Sequence, residues 1–91
     1  MSYFVLIYYV VEDYMARRGP YREEHLRLAQ GAHRRGELIL GGALADPADR
    51  ALLIFRCRDR STVEEFVKND PYFNNGLVAR HEIRPWAVVI H

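Results

Sequence analysis

His25 and Asp70 are the residues of this 91-residue chain whose types and surroundings could do chemistry. On a wheel of ~100° per residue, the stretch after Pro20 places Leu28, Tyr21, Ala32, His25, Ala29, His33 and Leu26 on one arc, with Arg22 at its edge. His25 falls near the middle of that apolar arc. Asp70 continues a second apolar stripe, Val63, Phe66 and Val67, at i+7 from Val63. An imidazole and a carboxylate both aimed at a protein interior are costly unless they pair or act. As a pair they would do general acid–base work. A histidine with an ordinary pKa of ~6.5 moves protons near neutral pH. A fixed carboxylate sets its tautomer and stabilises the imidazolium. Each residue also has a structural reading: His25 as a core histidine bonded to a carbonyl, and Asp70 as the N-cap of a turn that Pro71 starts. For Asp70 the two readings are compatible, because a carboxylate anchored by backbone N–H groups can still orient an imidazole.

Other side chains gather around this pair. Arg22, three positions before His25, faces nearest the arc and could bind an anionic substrate. Tyr72 could offer its hydroxyl to a substrate oxygen, and Phe73 could line the same pocket, although both could simply pack the turn. Gly41-Gly42 reads as a bulge or a close backbone approach. The expected substrate-binding set is therefore Arg22, Tyr72, Phe73, Gly41 and Gly42. Arg17 and Arg18 flank the start of the same helix and read as solvated charges. His25, His33, His81 and His91 lack the spacing of a metal motif, and one cysteine is too few for a thiolate site. Gly41-Gly42 is too little for a phosphate-binding or dinucleotide loop. No metal and no cofactor is expected. Cys57 has no activating partner in sequence and reads as buried and inert.

The elements that must hold these groups follow from the pattern. Tyr3 to Val11 is β-branched and aromatic at nearly every position, which suggests a strand covered on both faces. Gly19-Pro20 opens a helix with Glu23 and Glu24 in its first turn and Arg34-Arg35 in its last, and Gly36 can close it. Glu37 to Leu44 and Ala51 to Cys57 read as strands around an Asp46-Pro47 turn. Ser61-x-x-Glu64 has the form of a capping box and starts a second helix. Pro71 to Gly76 is an irregular or single-turn segment. Val78 to Ile90 is a last strand with Pro85 near its middle, which suits a sheet edge. The order β-α-β-β-α-β is the ferredoxin-like pattern, an α+β fold with helices on one face of an antiparallel sheet. The helix-free face then needs cover, which a second subunit would supply sheet against sheet.

Size and composition bound the rest. Ninety-one residues make one domain, residues 1–91, with a modest core that association would help. With 49% hydrophobic and 27% charged residues the chain has a globular balance. A formal charge of +1 gives no reason to expect nucleic acid or an anionic membrane as partner. The N-terminal apolar run is too short to span a bilayer as a helix, and no leader pattern precedes it. A reduced, cytoplasmic setting is the default expectation for a chain with one cysteine.

Taken in order, Tyr3-Phe4-Val5-Leu6-Ile7-Tyr8, Arg22-x-x-His25-Leu26, Gly41-Gly42, Asn69-Asp70-Pro71-Tyr72 and Glu82-Ile83-Arg84-Pro85-Trp86 resemble the YciI-like (YCII-related) family. The resemblance spans Tyr3 to Ala87. It implies a homodimeric α/β-barrel-like assembly and an active site built on a His–Asp pair, here His25 and Asp70. The expected function is small-molecule acid–base chemistry: proton abstraction, isomerisation, or an elimination such as dehydrohalogenation. A small substrate, aromatic or anionic, would fit. A non-catalytic dimeric ligand-binding or accessory domain is the alternative. A cofactor-independent monooxygenase of the dimeric ferredoxin-like class is a third.

Overall fold

The computed structural model describes Met1–His91. Eight elements follow one another: β1 (Ser2–Val10), α1 (Tyr14–Arg17), α2 (Gly19–Arg34), β2 (Leu38–Ala43), β3 (Arg50–Cys57), α3 (Arg60–Asn69), α4 (Pro71–Asn74) and β4 (Val78–Trp86). The strands form one four-stranded sheet in the order β2-β3-β1-β4, and all neighbours are antiparallel. This is the ferredoxin-like arrangement that the order of elements implies.

The sheet register explains why β1 shows no clear alternation in sequence. Phe4, Leu6 and Tyr8 point to the helices and are buried, while Tyr3, Val5, Ile7 and Tyr9 point to the helix-free face and are half-covered. Both sets are apolar or aromatic, so the period of two is masked. On the helix side Leu6, Phe55 and Val63 lose all exposure. Each such side chain stabilises the fold by about 1.5–3 kcal/mol.

Helix α2 buries Ala32, half-buries Tyr21, His25, Leu28 and Ala29 along the same line, and leaves Leu26 and His33 at the surface. The His33 Nδ1 meets the Leu38 carbonyl at 2.7 Å, which ties the helix end to β2. Gly36 ends α2 at φ +79°, where a side chain would be strained. Its N–H donates to the His33 carbonyl and the Glu37 N–H to the Ala32 carbonyl, the double bond of a Schellman cap.

Several local expectations need correction. Between the first strand and the long helix, Tyr14–Arg17 forms a short helix that the sequence pattern does not mark. Because α2 starts at Gly19, Glu23 and Glu24 lie beyond its first turn. The N-cap of α3 is Asp59 rather than Ser61: its carboxylate accepts the Ser61 N–H at 3.0 Å, and Glu64 pairs with Arg60 instead of closing a capping box. Strand β4 stops at Trp86 rather than Ile90. Its one neighbour is β1, and Tyr3↔Trp86 is the last pairing between them. Pro85 does sit on an edge strand, where its missing N–H is harmless. No helix is long and apolar enough to cross a membrane.

Candidate active site

Asp70 is where two helices meet. It ends α3 and, with extended backbone (φ −81°, ψ 118°), caps α4. Its Oδ1 accepts the Tyr72 backbone N–H at 3.0 Å, and Pro71 takes a first-turn position that needs no donor. The capping reading of Asp70 therefore holds. The same Oδ1 lies 2.8 Å from His25 Nδ1, which α2 brings in from 45 positions away. Oδ2 accepts a third bond, from the Tyr8 hydroxyl of β1, at 2.8 Å.

Asp70 has no solvent exposure, and the His25 side chain retains 14%. An ionised carboxylate is an acceptor only, and it matches three converging donors from β1, α2 and α4. An ionised Asp70 can pair with His25 Nδ1 only where that nitrogen carries the proton, the tautomer that leaves Nε2 bare. Nε2 makes no hydrogen bond to the protein.

Tyr72 holds the imidazole from the side. The two rings stack with centroids 3.9 Å apart and planes 7° from parallel. Tyr14, from the short helix α1, meets the Tyr72 ring edge-on at 5.7 Å, and the Arg18 guanidinium lies 5.4 Å from the Tyr14 ring centroid. Tyr14, Tyr72 and Leu77 form a small second core that fixes this side of the site. Burial pushes the Tyr72 hydroxyl's pKa up, Tyr14 adds to the rise, and Arg22 and Arg18 partly oppose it. Burial likewise raises Tyr8, and the Asp70 charge and hydrogen bond raise it further.

His25 and Tyr72 line a cavity of about 220 Å³ between α2 and the β2–β3 end of the sheet. Arg18, Arg22, Gly41 and Gly42 line it too, and Leu26, Ala29 and Leu53 are among its apolar walls. At Gly41 an added Cβ would lie 3.3 Å from Leu53 Cγ, whereas at Gly42 it would meet nothing. Gly41 thus lets β2 run close to β3.

Of the residues expected at the site, His25, Asp70, Tyr72, Arg22, Gly41 and Gly42 come together here. Phe73 does not. It is 37% exposed, and its ring packs edge-on against His81 of β4, because one step along α4 from Tyr72 turns it away from the cavity. Tyr8, Tyr14 and Arg18 belong to the site and were not expected there. Cys57 is buried with its thiol pKa raised by burial, and it lies outside this cavity. No group of three or more His, Cys, Asp or Glu side chains converges as metal ligands would.

The family model of the YCII-related domain matches residues 1–87. The chain belongs to the YCII-related family. Comparison with curated protein sequences gives no match. Among solved structures, the chain is similar to TftG from Burkholderia phenoliruptrix AC1100, a 5-chloro-2-hydroxyhydroquinone dehydrochlorinase in complex with 2,5-dihydroxybenzoquinone. The TM-score is 0.77 at 20% identity, over 92% of each chain. A protein of Agrobacterium tumefaciens is similar with a TM-score of 0.63 at 14% identity, over 98% of this chain and 94% of that one. An antibiotic biosynthesis monooxygenase gives a TM-score of 0.61 at 12% identity, over 99% of this chain and all of the other. At these identities the likeness is one of fold.

Proposed function

We propose that this YCII-related protein is a small-molecule enzyme in which His25 is the general acid and base and Asp70 orients it. The observation that carries this reading is the 2.8 Å contact between His25 Nδ1 and a fully buried Asp70 carboxylate, made beside a cavity. A proton held on Nδ1 leaves Nε2 to take one from a substrate, and the carboxylate stabilises the imidazolium that results. An apolar cavity of about 150 Å³ holds a benzene ring. The 220 Å³ here suits a single ring with a few substituents. The ligand named with TftG, 2,5-dihydroxybenzoquinone, is of that size and class. Elimination of chloride from a hydroxylated ring is accordingly the reaction to try first.

The reading includes a homodimer. The helix-free face presents Val5, Ile7, Leu52 and Ile54 at its centre, all only half-covered, with Leu40 and Trp86 exposed at the sides. A second copy packed on this face would bury them.

The test is chloride release from a chlorinated hydroxyhydroquinone, comparing the wild type with His25→Gln and Asp70→Asn. Loss of a general base lowers the rate by about 10²–10⁴-fold, and His25→Gln is expected in that range. Asp70→Asn is expected to slow release as well, by letting the ring take the wrong tautomer. Equal rates for His25→Gln and wild type would remove His25 from the mechanism.

A further inference from the structure

One buried side-chain polar atom in the molecule has no hydrogen-bond partner, the Tyr72 hydroxyl. Tyr72 is 2% exposed, and a buried polar group ordinarily has a partner. Its other groups are accounted for. The backbone N–H goes to Asp70, one ring face stacks on His25, and the ring also meets Tyr14 edge-on. None of these contacts uses the hydroxyl, and the Arg22 guanidinium, its nearest polar neighbour, can only donate towards its oxygen, so the hydroxyl hydrogen has no acceptor. The two cationic side chains that line the same cavity, Arg18 and Arg22, have no carboxylate within 4.0 Å. An unused donor and two unneutralised guanidinium groups beside a proposed base are matched by a negatively charged oxygen.

We propose that the Tyr72 hydroxyl and Arg22, backed by Arg18, form an oxyanion subsite for the phenolate or enolate oxygen of a small ring substrate. This rests on the His25 reading for the chemistry but not for the binding. In the keto tautomer of the ring, Nε2 takes a proton from the sp3 carbon next to the carbonyl: the C–H bond breaks and an N–H bond forms. The C–H pair becomes a ring C=C bond, and the carbonyl π pair moves onto the oxygen, which becomes the enolate or phenolate. Tyr72 donates its hydroxyl hydrogen bond to that oxygen, and the guanidinium charge opposes its own. No oxidant or reductant is needed. The raised pKa of Tyr72 keeps the hydroxyl protonated, and so a donor, at neutral pH.

The probe is 2,5-dihydroxybenzoquinone, whose acidic hydroxyls ionise at neutral pH, set against its dimethyl ether, which cannot ionise. Binding of each to the intact protein is measured by calorimetry. The wild type is expected to prefer the ionised quinone. A hydrogen bond to a charged group corresponds to about 10–100-fold in affinity. Tyr72→Phe and Arg22→Gln should each weaken the ionised quinone by roughly that factor and leave the ether unchanged. Tyr72→Phe keeps the ring stack and the backbone bond to Asp70, so an unchanged His25 titration by NMR would show that the dyad is intact. Wild-type affinity for the ionised quinone in both variants, or no preference for it in the wild type, would overturn the subsite. Full chloride release by His25→Gln alongside weakened binding in the other two would instead defeat the base assignment and leave the subsite standing.

Discussion

Tyr8→Phe is the substitution whose consequences can be worked furthest. The change removes one oxygen and keeps the ring that packs in the core. The lost bond is the 2.8 Å contact from the Tyr8 hydroxyl to Asp70 Oδ2, between groups with almost no exposure. A hydrogen bond to a charged group is worth about 1.5–3 kcal/mol, and here its loss leaves a carboxylate oxygen buried and unpaired. For a domain of this size 1 kcal/mol moves Tm by about 4–8 °C. The variant should therefore melt on the order of 10 °C lower at pH 7. A second effect has a definite sign. The folded-state pKa of Tyr8 lies above its ordinary value of 10.0, so the folded protein keeps a proton that the unfolded chain releases. This contribution to stability is fully present below pH 10 and falls as pH rises beyond it, by about 1.4 kcal/mol per pH unit. Tyr8→Phe should remove that share of the alkaline slope. Urea unfolding at pH 7 and at several values above pH 10 reads both effects. A cost under about 0.5 kcal/mol at pH 7, with an unchanged alkaline slope, would refute the role given to this bond.

Two further predictions concern the cavity and the sheet. Gly41→Ala should weaken binding of small-ring ligands and destabilise the fold, because its Cβ would press on Leu53, whereas Gly42→Ala should be tolerated or gain up to about 0.5–1 kcal/mol in strand preference. Calorimetry and urea unfolding separate the two. Ile54→Asp on the helix-free face should convert a dimer into a monomer in sedimentation velocity; a wild type that sediments as a monomer would refute the proposed association.

How legible the site was depends on the element that carries each residue. His25 was visible because a polar ring interrupts an otherwise apolar helical arc. Asp70 was visible because it extends a helical stripe and precedes a proline. Tyr8 was not, because β1 is apolar or aromatic on both faces and only the sheet register says which side a tyrosine takes. Arg18 and Tyr14 were hidden by the short helix α1. Four residues carry little periodicity, and nothing local says that Tyr14 will pack on Tyr72. Phe73 was misplaced because neighbours on a helix diverge by ~100°, and sequence alone did not say which aromatic of the pair faces inward. The capping box at Ser61 failed to a stronger local competitor, since Asp59 offers a charged acceptor two residues earlier.

The central claim is that Asp70 holds the His25 proton on Nδ1 and leaves Nε2 as the base. Nitrogen-15 NMR of the histidine rings reads this directly, since protonated and bare ring nitrogens resonate apart. Neutral His25 is expected to carry its proton on Nδ1 in the wild type and to lose that preference in Asp70→Asn. A His25 protonated on Nε2, with Nδ1 bare, would contradict it.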